Sequence, residues 1–255
     1  CDHHKSLGHI VKIRQEQINT EQTSEKLAKF ATKKMQQVAI SDSDSTRVFT
    51  KVPIHNHWES MELDEKNPKT LGWLQVAYWN ESKKMVSNDV CASVIGFLKQ
   101  KVLMDESSKI ENVHLRCAYV NDEIYYDLGI RGWKFVKISA NGINFVDYGI
   151  DSPFFTRTNK TGIQTIPNLR PDGNALDELV KLIKVPNPEM FKVHLISMFV
   201  DGLPMPCFAI RGHAGSAKSS TSSMIKRIVD PSGNSNDSNL KSFPHGEDNF
   251  VVSLS

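Results

Sequence analysis

The stretch that decides the fold is MPCFAIRGHAGSAKSSTSSMIKRIVDPS, residues 205–232. Its apolar opening, residues 205–210, predicts a strand that ends before Arg211, and residues 217–229 predict a helix. Small residues fill the loop between them. A strand, a small-residue loop and a helix in this order are typical of an α/β unit, which we expect to open at about residue 172.

The loop matches the pattern G-x-x-x-x-G-K-[ST] at all positions but one. The matching stretch consists of Gly212, His213, Ala214, Gly215, Ser216, Ala217, Lys218 and Ser219, and Ala217 is the departure. Small residues let backbone N–H groups approach phosphates closely, and a helix that begins there adds unpaired N–H groups and the positive end of its dipole. The pattern therefore predicts a phosphate-binding loop.

Each polar residue of the loop has an expected role. Lys218 reaches the β- and γ-phosphates of ATP and the Ser219 hydroxyl holds Mg²⁺. Backbone N–H groups from about Gly215 to Ser220 surround the β-phosphate, and Ser220, or alternatively Thr221, contacts the α-phosphate. Ala217 lies where the helix begins, so we expect a negative φ, which suits alanine. The competing interpretation is a flexible Gly/Ser loop beside a capped helix and one solvated lysine.

The middle of the chain predicts a small antiparallel meander over residues 112–157. Four short runs rich in β-branched and aromatic residues are separated by turn signals. Asn141-Gly142 is a strong hairpin signal because both residue types tolerate positive φ. PFFTR, residues 153–157, is expected to add a fifth strand or an edge.

Helical patterns flank the meander on both sides. Residues 23–40 place Leu27, Phe30, Ala31, Met35 and Val38 on one helical stripe. Further helices are predicted over 88–104, 175–183 and 188–202, and a strand over 47–54. The N-cap of the 88–104 helix is expected at Asn88 or Asp89, Pro188 starts the fourth helix and Gly202 ends it.

These patterns predict an α/β fold, α+β overall, with three parts. Residues 1–110 form a mixed helical region, 111–170 a β-meander accessory domain, and 171–255 the opening of a phosphate-loop ATPase domain. The chain begins at Cys1 rather than Met and ends soon after the loop. We therefore expect a piece of a longer protein whose α/β domain continues beyond residue 255.

Composition narrows the function classes. A formal net charge of +2 does not indicate a strongly basic nucleic-acid binder, although it permits a local basic groove. The four cysteines have no metal or disulfide spacing, and no apolar segment is long enough to span a membrane, so we expect a soluble cytoplasmic protein.

Two other pairs of residues are weaker candidates for a site. His55 and His57 lie on one face of a strand-like segment and could form part of a metal site, but no third ligand is in view. Arg116 and Arg157 could contact phosphate, although a structural ion pair with Asp127 is the preferred interpretation.

Residues 112–255 resemble the phosphate-loop ATP-binding proteins of bacteriophages and integrated mobile elements, the primase–helicases related to superfamily-three helicases and the AAA+ class. The resemblance is carried by VHLRCAYVNDEIYYDLG (113–129), GWKFVKI (132–138), FFTR (154–157), IPN (166–168) and RGHAGSAKSSTSSMIKRIVDPS (211–232). In that family the residue before the loop lysine is commonly alanine, so the resemblance accounts for Ala217.

The resemblance implies a function as well as a fold. It implies the ATPase module of a replicative DNA helicase or primase–helicase that binds ATP and Mg²⁺, contacts DNA and assembles as a homo-oligomer, possibly a ring. The acidic Walker B strand, the sensor and the arginine finger are expected beyond residue 255, so no catalytic residue is assigned. A nucleotide-dependent regulatory DNA-binding switch, or a structural fragment with a vestigial loop, is the alternative.

Overall fold

The computed structural model describes residue 12 and residues 21–169, 173–200, 202–203 and 209–233. These residues mix helices and strands, which confirms the predicted fold class. They divide into two compact units. Unit 1 comprises the described residues up to His114 together with Tyr148–Thr156, and unit 2 comprises Leu115–Asp147 and the described residues from Arg157 onwards.

Unit 1 is built on a four-stranded sheet in the order β3-β2-β1-β4. The strands are β1 Gln36–Ser41, β2 Val48–Ile54, β3 His57–Glu62 and β4 Lys109–Glu111. Only the β1–β4 pair is parallel among the pairs of this sheet. A separate parallel pair joins β5, Val113–His114, to β10, Phe154–Phe155.

Three helices supply most of the core of unit 1. They are α1, helical over residues 21–34, α2, Pro68–Ser82, and α3, Asn88–Leu103. Leu27, Leu74 and Ile95, one from each helix, are almost completely buried in the same cluster as the β2 residues Val48 and Val52. Burial of such aliphatic side chains contributes about 1.5–3 kcal/mol each.

Two predictions in this unit were wrong in their bounds. The stripe over residues 23–40 ends at residue 34, because Val38 pairs with Thr50 in the β1–β2 ladder instead of continuing the helix. Leu27 is nonetheless buried as predicted. The N-cap of α3 is Ser87, whose Oγ accepts from the Val90 N–H, rather than Asn88 or Asp89.

A buried amine lies beneath the 148–156 segment of unit 1. Lys51 on β2 is 1% exposed, and its Nζ donates to Gln37 Oε1 at 2.8 Å, to the Ile150 carbonyl at 2.5 Å and to the Ser152 carbonyl. Burial lowers the pKa of Lys51 to about 8. The amine therefore fastens the returning segment to β2 through backbone acceptors.

Unit 2 opens with the predicted meander. Its strands, in the order β6-β7-β8-β9, are β6 Cys117–Val120, β7 Glu123–Asp127, β8 Lys134–Ser139 and β9 Gly142–Asp147. All neighbours pair antiparallel, which confirms the prediction for this segment. The β6–β7 turn uses Asn121 and Asp122, both at positive φ.

Two details of the meander differ from the prediction. Ser139 pairs with Gly142, so the β8–β9 turn is Ala140-Asn141, and the positive φ falls on Gly142. PFFTR does not extend the meander: Phe154 and Phe155 pair with β5, in unit 1. The segment Tyr148–Thr156, which contains both residues, belongs to unit 1.

The described part of unit 2 also contains the helices α4 Ala175–Ile183, α5 Pro188–Ser197 and α6 Lys218–Val229. Pro188 starts α5 as predicted, but α5 ends at Ser197, before turns at 198–200, rather than at Gly202. None of the described helices combines the length and the apolar character needed to cross a membrane.

Candidate functional site

The predicted phosphate loop leads directly into α6. Residues 211–217 are exposed and α6 begins at Lys218, one residue after the predicted start. The helix is held by Ile225, which is buried in a cluster with Phe191 and Leu195 of α5. The helix therefore has a buried side towards α5 and an exposed N-terminal end that carries the loop.

The strand predicted before the loop is only partly within the described residues. Residues 209–210 are not in a strand, and 205–208 lie outside the described residues, as does the apolar run at 249–255. In the described part of 157–233 the only β pairing is the isolated bridge between Thr161 and Ser232. The parallel sheet of an α/β ATPase domain therefore remains a prediction.

Two glycines shape the loop. Gly215 has φ of +78°, a conformation that glycine adopts without the steric cost other residues meet. A β-carbon at Gly212 would lie 2.5 Å from Ser216 Oγ, which is far inside van der Waals contact. The loop closes on itself through the Ser216 N–H, which donates to the His213 carbonyl at 3.3 Å.

Lys218 folds back over this loop. Its Nζ donates to the Gly212 carbonyl at 2.8 Å and to the His213 carbonyl at 2.7 Å, and it lies 3.4 Å from Ser216 Oγ. The ammonium is thus held across the loop rather than extended into solvent. Its partners are neutral backbone and hydroxyl oxygens, so its positive charge is not balanced by them.

The first turn of α6 has no side-chain cap. Ala217 occupies the N-cap position and makes no capping hydrogen bond, and the first-turn bond is Thr221 N–H to the Ala217 carbonyl. The N–H groups of the residues before Thr221 have no acceptor within the helix. With Ser219 and Ser220 exposed beside them, they form a concentration of donors at the positive end of the helix dipole.

The expected backbone conformation of Ala217 was wrong. Its φ is +55° and its ψ is +23°, the left-handed region. The chain needs this reversal to turn from the loop into the helix, and glycine would make it without cost. For alanine the conformation costs about 1–2 kcal/mol. The alanine therefore marks a strained position next to Lys218.

The opposite end of α6 is capped by side chains from the rest of unit 2. Tyr126 of β7 donates its hydroxyl to the Val229 carbonyl at 2.8 Å. Gln164 donates from Nε2 to the Ile228 carbonyl at 2.8 Å and to the Arg227 carbonyl at 3.2 Å. Burial raises the pKa of Tyr126 to about 12, so the phenol remains protonated and able to donate.

Arg116 also holds the C-terminal end of α6, and together with Tyr126 and Gln164 it forms what we call the C-terminal clamp. Its Nε donates to Asp230 Oδ1, its Nη1 to the Asp127 carbonyl and its Nη2 to the Gly162 carbonyl, each at 2.9 Å. Asp230 also accepts from Lys226 at 2.5 Å. Burial alone would raise the pKa of Asp230, but the hydrogen bonds and charges of Lys226 and Arg116 together hold it below its ordinary value.

Arg157 forms the predicted ion pair with Asp127. Arg157 donates to both oxygens of the completely buried Asp127 and also to the Ile130 carbonyl at 2.8 Å. Its guanidinium carbon lies 4.1 Å from the centre of the Trp133 ring. The structural interpretation of Arg116 and Arg157 is therefore correct, although Arg116 pairs with Asp230 rather than Asp127.

The alternative metal pair is not assembled. His55 lies in a turn at a φ of +51°, and His57 Nε2 lies 2.9 Å from Glu59 Oε1. Among the described residues no group of three or more His, Cys, Asp or Glu side chains could hold a metal ion. Neither Cys91 nor Cys117 is in a disulfide bond, and Cys1 and Cys207 lie outside the described residues.

Sequence reasoning missed the cluster that clamps α6. Tyr126, Asp127 and Gly129 belong to one sequence motif and Asp230 to another, and no motif includes Gln164. Gly129 has φ of +67°, and a β-carbon on it would lie 2.3 Å from the Gly162 carbonyl oxygen. The glycine of the YDLG motif was the one available signal that two backbone segments meet there.

No protein-family model, curated protein or solved structure matches this chain. The resemblance to phage and mobile-element proteins therefore rests on the sequence motifs alone.

Proposed function

We propose that residues 212–220 bind the phosphates of ATP. The observation that carries the proposal is the position of Lys218, whose ammonium is held across the loop by the Gly212 and His213 carbonyls. The Lys218 ammonium lies beside the first turn of α6, which has no side-chain cap. A positive side chain and a set of unpaired N–H groups at one helix N-terminus together favour a polyphosphate anion.

The donor set also fits Mg²⁺ as the companion ion. Mg²⁺ prefers oxygen ligands, keeps several waters and takes few ligands from the protein. Ser219 is exposed in the first turn of α6 and offers one hydroxyl oxygen, and the phosphates and water would supply the rest. When bound, the ion would neutralise phosphate charge.

The wider assignment rests on the resemblance to phage and mobile-element proteins. On that basis we propose that the chain is the nucleotide-binding part of a replicative DNA helicase or primase–helicase that works on DNA as a homo-oligomer. The parts that would complete an ATPase site, an acidic strand and an arginine finger, are not assigned in this chain. We therefore propose nucleotide binding for this chain and assign no residue to hydrolysis or unwinding.

Calorimetry with MgATP tests the binding step. The chain is expected to bind MgATP, and Lys218→Ala is expected to weaken binding at least about tenfold, the equivalent of 1.4 kcal/mol, because it removes the charge over the loop. Lys84→Ala removes an exposed positive charge from unit 1 and should leave binding unchanged. Binding that is equal in the chain and in Lys218→Ala would contradict the proposal.

A further inference from the structure

The outer edge of the meander is the clearest unassigned surface in unit 2. β9 pairs with β8 along one side, and none of the described residues pairs with its other side. In an antiparallel strand alternate residues point their N–H and C=O groups away from the existing neighbour. The free edge of β9 therefore presents a row of unused backbone donors and acceptors.

This edge lacks the devices that usually protect one. Edge strands are normally guarded by lysines, prolines or bulges. Residues 142–146 contain no charge and no proline, and the β8–β9 register has no bulge. Ile143 and Phe145 are 42% and 43% exposed on the same face of the sheet. A neutral, apolar, regular edge favours pairing with another strand.

The sheet carries two apolar rows that stop at this edge. Directly opposite neighbours form one row of Tyr119, Ile124, Ile138 and Ile143, and a second row of Cys117, Tyr126, Val136 and Phe145. Cross-strand neighbours of this kind are the unit of sheet stabilisation. A partner strand that continues both rows would extend the stabilisation beyond β9.

We propose that β9 pairs antiparallel with β9 of a second copy of this chain, centred on Asn144. This register places Ile143 opposite the partner's Phe145 and Phe145 opposite the partner's Ile143. The row that ends at Ile143 in one copy is therefore continued by the row that ends at Phe145 in the other. Asn144 meets the partner's Asn144 on the opposite face, where two amides can exchange hydrogen bonds. The interface is isologous, as in most homodimers.

Charge and register both favour this occupant. Asp147 already pairs with Lys134 at 2.8 Å, and in the proposed register it faces the partner's Asn141 rather than an acid. A register centred on Phe145 would instead set Ile143 against the partner's Asp147. Lys137 is paired with Glu123 at 2.6 Å, so the lysines of β8 are neutralised and the face does not suit a nucleic-acid backbone.

The test measures the mass of the full chain in solution by sedimentation over a range of concentrations. The chain is expected to show a concentration-dependent dimer. The double variant Ile143→Lys/Phe145→Lys places like charges opposite each other at both central positions and should be monomeric. Leu182→Lys adds a lysine at an exposed leucine of α4 and should still dimerise.

A charge-swapped variant tests the register itself. Ile143→Lys/Phe145→Glu places a lysine opposite the partner's glutamate at both positions, so dimerisation should be regained. Because all substituted positions are exposed, a circular dichroism spectrum like that of the parent chain is expected throughout. A monomer at every concentration, or a dimer that survives Ile143→Lys/Phe145→Lys, would overturn the proposal, as would a charge-swapped variant that stays monomeric.

Discussion

The two ends of α6 are built in opposite ways. At the C-terminal end the Arg227, Ile228 and Val229 carbonyls accept hydrogen bonds from Gln164 and Tyr126. At the N-terminal end no side chain caps the helix, and the preceding residue, Ala217, is held in a left-handed conformation. One end is satisfied by the protein, and the other presents its donors to solvent.

This difference indicates what each end is for. Helix ends are ordinarily capped at both termini because unpaired backbone groups are costly when they are removed from water. Here the meander and the loop around Gly162 fix the C-terminal end, whereas the N-terminal end is exposed and is the proposed phosphate site. We expect the C-terminal contacts to contribute stability and the loop to contribute binding, so variants at the two ends should affect different measurements.

The largest expected effect on stability is at Arg116. Arg116→Met removes the donors of four hydrogen bonds and leaves the Asp127 and Gly162 carbonyls without them. The free energy of unfolding in urea should fall by about 2–6 kcal/mol, because two buried carbonyl acceptors lose their donor at about 1–3 kcal/mol each. Arg131→Met, at an exposed position, should change it by less than about 0.5 kcal/mol. Equal losses in both variants would contradict the stabilising role of the Arg116 hydrogen bonds.

A smaller loss is expected from the hydroxyl of Tyr126. Tyr126→Phe deletes the donor to the Val229 carbonyl while the ring keeps its packing. The free energy of unfolding should fall by about 1–2 kcal/mol, the cost of a buried acceptor left without its partner. Tyr119→Phe is the matched control, since its hydroxyl contacts only the exposed Asp122 among the bonds described and its loss should be nearly neutral. A neutral Tyr126→Phe would contradict the role given to the C-terminal cap.

At the other end of the helix the sign should reverse. Ala217→Gly relieves the left-handed conformation and should raise the free energy of unfolding by about 0.5–1 kcal/mol, after the greater flexibility of glycine in the unfolded chain is deducted. Ala92→Gly, inside α3, should lower it by about 1 kcal/mol. Thermal and urea unfolding of the two variants would reveal the contrast, and a shared sign would mean that Ala217 is not strained.

The weakest expected effect is a pH dependence at Asp230. Its pKa is depressed in the folded chain below the ordinary value of 3.8, so its stabilising contribution is present above that value and is lost as the pH falls through the folded pKa. The parent chain should therefore be more stable than Asp230→Asn at neutral pH, and the difference in their free energies of unfolding should narrow as the pH is lowered below about 4. Urea unfolding between pH 6 and pH 3 would measure it. A difference that stays constant with pH would assign the loss to packing.

Local sequence patterns were sufficient to predict the strands of the meander and one helix of unit 2. The alternating apolar runs of the meander and the helical spacing of 175–183 were assigned correctly, because their periodicity agrees with the final structure. The helix predicted over residues 23–40 was too long, because the residues after 34 pair in the β1–β2 ladder although they keep the helical spacing of apolar residues. The helix α2 was missed although Asn67-Pro68 is a regular N-cap and first-turn signal.

The candidate phosphate loop can be proposed from its sequence motif, but the residues that support α6 cannot. The loop from Gly212 to Ser220 is recognisable because its residues are contiguous. The clamp brings together residues more than a hundred positions apart, such as Tyr126 and Val229, and no local pattern predicts their meeting. Lys51 illustrates the same limit, since a lysine within VFTKVPI gives no sign that the segment returning at residue 150 will bury it.

Hydrogen–deuterium exchange, followed by mass spectrometry with and without MgATP, tests the difference between the two ends of α6 most directly. Millimolar MgATP should slow exchange in peptides that cover residues 211–221, where the unpaired N–H groups lie, and leave peptides over 224–233 unchanged. Lys218→Ala should lose the slowing at the loop. Exchange at 211–221 that is unaffected by MgATP in the parent chain, or slowed equally in Lys218→Ala, would contradict the account.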